Sequence, residues 1–212
     1  MNKERKTYIQ FGRCLPSACK GILVLSAVLS WTMPAANLTA ATYYVNSATG
    51  SDVTGDGSSG NSWETITYAI SQVSDSDTIN CTGTFTGEGS ATTGIAVNKG
   101  ITIVGQGEGA TFVQAASSAG AADRRVFTIS SGKTVGISMM TIRYGNVAGG
   151  DGGGIYNPAT ATLSVTDCTI SANSTGDDGG GIYNPANAAL KDNMHKPDLL
   201  IVSSSNWRPL VQ

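Results

Sequence analysis

One block of eight residues occurs twice without change. Gly152-Gly153-Gly154-Ile155-Tyr156-Asn157-Pro158-Ala159 returns 27 residues later as Gly179-Gly180-Gly181-Ile182-Tyr183-Asn184-Pro185-Ala186. Just upstream, Phe127 through Ile142 aligns without a gap on Ile155 through Ile170, at an offset of 28. A fixed period in this range belongs to stacked supersecondary units that each touch only their neighbours, so the chain predicts a solenoid. A solenoid offers long flanks in place of one enclosed pocket, and its function is expected on a flank.

The repeated content is β. Leu163-Ser164-Val165 and Val135-Gly136-Ile137 alternate, and each precedes a second short run, Cys168-Thr169-Ile170 or Met140-Thr141-Ile142. Alternation with period 2 turns one face inward, and Thr, Val and Ile suit a pleated, half-buried surface. The glycines and prolines of 127–186 would break a helix. Each unit therefore reads as two or three short strands separated by glycine or asparagine corners, pairing in parallel with the coils above and below. Ile155, Leu163, Val165, Ile170 and Ile182 are expected inside, and Asp151, Asp177 and Asp178 at solvent. Gly153 and Gly180 mark places that need positive φ or close backbone approach, as do their neighbours Gly152, Gly154, Gly179 and Gly181. Asn157 and Asn184 hold one place in successive units, as rungs of an asparagine ladder or as plain turn residues.

The run Gly-Gly-Gly-Ile-Tyr-Asn at 179–184, after Thr169–Asp178, resembles the polymorphic outer-membrane protein repeat. Upstream, Tyr43-Tyr44-Val45, Gly50-Ser51-Asp52, Asp56-Gly57, Trp63–Ile66, Asp77-Thr78-Ile79 and Gly83-Thr84-Phe85 resemble the amino-terminal cap and first coil of the pectin-lyase-like fold. The resemblance spans roughly 43–190 and implies an all-β, right-handed parallel β-helix. It implies no single activity, because that superfamily mixes lyases, hydrolases and adhesins.

Charge divides the chain into three. Residues 1–41 carry five basic residues and one acid, and residues 42–190 carry five basic residues against twelve acids. An acidic body argues against nucleic acid as a partner. In the first segment, Lys3, Arg5, Lys6, Arg13 and Lys20 precede the eleven-residue apolar run Gly21–Trp31, with small residues beyond Pro34. That is the layout of an export signal, with cleavage expected near Ala40 or Ala41. Export leaves only Cys81 and Cys168, which are expected to be free and inward in different coils.

Between residues 42 and 190 there are 25 glycines, and after Gly181 there are none. Leu190 still matches Leu163, but Lys191-Asp192-Asn193 follows where alternation should continue, and Pro197 falls where Ile170 would be. Residues 191–212 are thus read as a tail outside the repeat, either a genuine short tail or the mark of a truncated or frame-shifted product. At about 22–28 residues per coil, residues 42–190 predict roughly six coils. Trp63, Ile66, Ile70 and Val73 share a helical face after an N-cap at Asn61 or Ser62, which predicts a short amino-terminal capping helix.

Catalytic motifs are scarce. The one histidine, His195, lies in the tail, which leaves the rod without a Ser-His-Asp triad or a His-based metal site. Asp177-Asp178 is similar to the paired aspartates of polygalacturonases, but the partner motifs are missing and Asp151 repeats the position, so the pair reads as a corner. Asp52 and Asp56 in Asp52–Gly57 are the candidate calcium ligands, although an EF-hand register would require Trp63 to be glutamate. Asp123-Arg124-Arg125 is a charged cluster read as a loop between coils. Gly105–Gly109 lacks the following helix that a dinucleotide fingerprint needs.

The expectation is an exported cell-surface or outer-membrane-associated module, passenger-like or adhesin-like, without its own catalysis or cofactor. Its partner would be a surface ligand of polysaccharide or host origin, and its membrane anchor is not recognisable. One alternative is a lyase or hydrolase acting on acidic polysaccharide. Another is a truncated gene product.

Overall fold

The computed structural model describes residues 39–192. They form a parallel β-helix of about four turns with one helix. The main sheet is built from β1 (Thr42–Asn46), β2 (Thr78–Thr86), β4 (Thr102–Val104), β7 (Thr134–Arg143), β10 (Thr162–Ser171) and β13 (Ala189–Asp192), in that order. A shorter strand, β5 (Thr111–Gln114), pairs between the second halves of β2 and β7. A second sheet stacks β3 (Ile95–Val97), β6 (Phe127–Ile129), β9 (Ile155–Tyr156) and β12 (Ile182–Tyr183), and a third pairs β8 (Asn146–Val147) with β11 (Ser174–Thr175). Every one of these strand pairings is parallel.

Alternation becomes vertical columns of like residues. Ile79, Ile103, Ile137 and Val165 lie in register through successive coils and are 0–1% exposed. Phe85, Val113, Ile142 and Ile170 make a second buried column, and Ile95, Phe127 and Ile155 a third. Each such side chain contributes about 1.5–3 kcal/mol when fully buried, so these columns are what hold the coils together. Ile155, Leu163, Val165 and Ile170 are buried as expected. Ile182 is only half-buried because it sits in the last described coil.

Four turns replace the six expected because two of the early coils are long, although the step from Thr78 to Thr102 is only 24. Thr42 pairs with Thr78, a step of 36, and Thr102 pairs with Gly136, a step of 34. The later steps are 28 and 27, from Val135 to Leu163 and from Leu163 to Leu190. The extra residues of the first step hold a surface loop and the helix α1 (Ile66–Gln72), which packs on β1, β2 and β3. The helix begins later than the sequence suggests. Its N-cap is Thr65, whose hydroxyl accepts from Tyr68 N–H at 3.1 Å, and not Asn61 or Ser62. Ile66 and Ile70 are buried helical residues, but Trp63 precedes the helix. It bridges to Val45 and stacks on Tyr43 at 5.1 Å between ring centroids.

The corners also differ from expectation, since glycine and asparagine do not make all of them. Met139 and Asp167, 28 apart, have φ of 57° and 49°, and Tyr144 and Ala172, again 28 apart, have 64° and 52°. The same left-handed bends recur in these two coils whichever residue occupies them. Strand pairing overrides local preference here, at a cost of about 1–2 kcal/mol per residue. In the glycine block the roles are divided. Gly152 and Gly179 hold positive φ of 70° and 72°, whereas a Cβ on Gly153 would lie 2.2 Å from the Ser174 carbonyl oxygen.

The repeat also continues slightly past Leu190. Lys191 pairs with Ser164 and Asp192 with Val165, so the pairing runs past the expected break at Lys191 to the last described residue. Residues 193–212, with His195 and Pro197, and residues 1–38, where an export signal is expected, lie outside the described residues.

Candidate functional site

Alternation that buries one set of residues presents the other set on the flank. On the outer side of the main sheet, Thr102, Thr134, Gly136, Ser138, Ser164 and Thr166 line an open groove of about 800 Å³. Two columns define its floor. Thr102, Gly136 and Ser164 are one, and Ser138 below Thr166 is the other. Gly136 breaks a line of hydroxyl side chains and makes the lowest point. A Cβ there would come within 3.3 Å of Thr102 Cγ2.

One rim of the groove is charged. Lys133 Nζ lies 3.2 Å from Asp75 Oδ2, and Asp75 Oδ1 accepts from Gly100 N–H at 2.7 Å. The Gly100 N–H, and then the Lys133 ammonium, hold the Asp75 carboxyl below its ordinary range. The carboxylate accepts from both donors at the edge of the groove, where both side chains reach solvent. The groove offers hydroxyl hydrogen bonding along three coils, with its two charges already paired.

The candidate calcium ligands do other work. Asp52 Oδ1 accepts from the N–H groups of Glu64 and Thr65 at 2.8 and 3.1 Å, and its Oδ2 from the Thr65 hydroxyl at 2.6 Å. It ties the surface loop to the start of α1. Asp56 accepts from Ser58 N–H at 2.9 Å in a local turn, and hydrogen bonds to Ser58 lower its pKa. Among the described residues, no three His, Cys, Asp or Glu side chains converge where a metal ion could sit.

Asn157 and Asn184 do form a ladder. Asn157 Nδ2 donates to Asn184 Oδ1 at 2.6 Å, while Asn157 Oδ1 is buried with no partner. The register explains the orphan. Below Asn157 the column continues as Ile129 and Val97, which have nothing to donate. Asp177 and Asp178 are exposed corner residues, with Asp178 N–H donating to Asp151 Oδ1 at 3.2 Å. Asp151 itself is half-buried, not at solvent as expected.

Arg124 and Arg125 are not a free charged cluster. Arg124 Nη1 donates to the Gly87 carbonyl at 2.9 Å. Arg125 Nε donates to the Asp151 carbonyl at 2.6 Å, with its guanidinium 4.9 Å from the Tyr156 ring centroid. Tyr156 in turn stacks on Tyr183 at 5.2 Å. Cys81 and Cys168 are both free and buried. Burial pushes the Cys168 thiol up to about 11 and the Cys81 thiol higher still.

The groove itself could not be located from sequence, because it depends on which coil lies beside which. Nor could Asn173. This buried residue accepts from Gly145 N–H and donates to the Ile142 carbonyl, pinning the corner of the coil below. Its only sequence signal is an asparagine ending a strand. No protein-family model, curated protein or solved structure matches this chain.

Proposed function

We propose that the chain is an exported β-helix module of the cell surface or outer membrane, of pectin-lyase-like type and related to polymorphic outer-membrane repeats. It acts as a passenger-like or adhesin-like scaffold that holds an extended surface ligand along its flank and carries out no chemistry of its own. The supporting observation is the groove. It is long, open and lined by hydroxyls, and among the described residues that line it the only ionic groups, Asp75 and Lys133, neutralise each other. Such a surface can hydrogen-bond the hydroxyls of a polysaccharide or a host glycan, but it has no unpaired acid or base to act on the bound chain.

The purified chain should be retained by a subset of immobilised neutral polysaccharides. Ser164→Tyr, which fills the groove from an outward position, should abolish retention without changing the far-ultraviolet circular dichroism. Incubation with polygalacturonate and calcium should give no ultraviolet-absorbing unsaturated product. Formation of that product would favour the lyase reading, and failure to bind any glycan or host surface would favour a truncated product. Mass spectrometry of exported material should find a mature start at Ala41 or Thr42.

A further inference from the structure

Among the described residues, Arg143 is set apart from the other cations of the rod, the exposed Lys191 at its end excepted. Lys133 has Asp75, Arg124 and Arg125 have main-chain carbonyls, and Lys99 Nζ donates to the Ser71 and Val73 carbonyls. Arg143 is half-buried, yet its only polar partner is a neutral amide. Its Nε donates to Gln114 Oε1 at 2.8 Å, and Gln114 Nε2 donates onward to the Thr86 hydroxyl at 2.9 Å. Its guanidinium carbon lies 4.3 Å from the Phe112 ring centroid and 4.7 Å from that of Tyr144. The head is thus fixed on three sides, and its Nη groups meet no acceptor among the described residues.

Two features suggest that this arrangement serves more than packing. A cation withdrawn from water loses solvation that neither an amide nor aromatic rings restore in full, and an anion would restore it. Tyr144 also occupies a left-handed corner, which the next coil makes with Ala172 at the same place. The bend does not need an aromatic ring, and the ring that is there covers the guanidinium. Ser171, the register partner of Arg143 in the next coil, adds a hydroxyl with no partner among the described residues.

We propose that Arg143, with Ser171 beside it, is a binding site for one carboxylate, on a different strip of the flank from the hydroxyl groove. The planar fork of an arginine held by its Nε side leaves parallel N–H donors that match a carboxylate in two-point contact. The acidic body, with twelve acids against five bases over 42–190, disfavours a polyanion. The fitting ligand is an otherwise neutral molecule with a single carboxylate, such as a peptide carboxy-terminus.

The test is a titration of the full chain, following the Arg143 side-chain NMR resonances. The probes are N-acetylglycine, its uncharged amide and methyl phosphate. N-acetylglycine should give a saturable shift in the millimolar range, the amide should give none, and methyl phosphate should bind more weakly. Arg143→Gln should remove the response. Arg143→Lys, which keeps the charge and most of the stem, should weaken it severalfold, read from backbone amides of β7 and β10. No saturable shift, an equal response to the amide, or unchanged binding in Arg143→Gln would each overturn the proposal. Tighter binding of methyl phosphate would overturn the carboxylate assignment.

Discussion

Asn157 shows how much a single position depends on its neighbours in the stack. Its donor is satisfied by Asn184, but its buried acceptor faces an aliphatic column and is left unpaired. An unsatisfied buried acceptor costs about 1–3 kcal/mol, whereas replacing both partners by apolar groups of the same shape is close to neutral. The double variant Asn157→Leu/Asn184→Leu should therefore unfold in urea within about 1 kcal/mol of the parent. A loss well beyond that would mean that the ladder itself holds the coils. The corners respond in the opposite sense to common expectation. Ala172→Gly, at a φ of 52°, should raise stability by about 1 kcal/mol, because glycine carries no strain there. Gly153→Ala should lower the melting temperature sharply, since the new Cβ would meet the Ser174 carbonyl at 2.2 Å. The thiols add a pH dependence. Unfolding returns Cys168 from about 11 to its ordinary 9.0, so the folded state holds that proton more tightly. Its contribution is complete below about pH 9 and is lost as pH rises toward 11. Thiol reagents at neutral pH should react only after denaturant is added.

At the level of elements, two devices matter. The first is the inward column of the main sheet, where Val165 is fully buried between Ile137 below and the last strand above. Val165→Asp buries an unpaired charge and should destabilise by several kcal/mol, measured as a drop in the urea midpoint. A variant that melts with the parent would contradict the packing. The second device is the start of α1. A seven-residue helix is too short to persist by propensity alone. Its N-terminal turn is held by Thr65, by Asp52, and by Glu88, which accepts from Thr67 N–H at 2.9 Å. Asp52→Ala should cost about 1–2 kcal/mol, as loss of a cap does. Added calcium should shift the melting temperature of neither parent nor variant, in keeping with the structural role of that carboxylate.

For the molecule as a whole, a stack of coils that touch only their neighbours should not be uniformly stable. Amide exchange should be slowest in β2, β4, β7 and β10, which have strands on both sides, and fastest in β12 and β13, where Ile182 and Leu190 are only partly buried. Equal protection throughout would indicate a single cooperative unit. How far all this could be read in advance varied with the kind of information each feature carries. The offsets of 28 and 27 and the alternation of Leu163-Ser164-Val165 determined a parallel β solenoid, the inward residues except Ile182 and the alignment of Asn157 with Asn184, because periodicity and polarity are local properties that stacking simply repeats. The number of turns, the exact helix cap, the strained corners at Met139, Tyr144, Asp167 and Ala172, and the roles of Asp52, Arg125 and Asn173 were decided only by tertiary structure. Asp52 meets partners 12 and 13 residues on, Arg125 and Asn173 meet partners 26 to 31 residues away, and the turn count rests on insertions whose length has no local signature. The groove and the Arg143 strip belong to that second group. A flank exists only once coils lie side by side, and the hydroxyls and the unpaired guanidinium acquire neighbours through register alone.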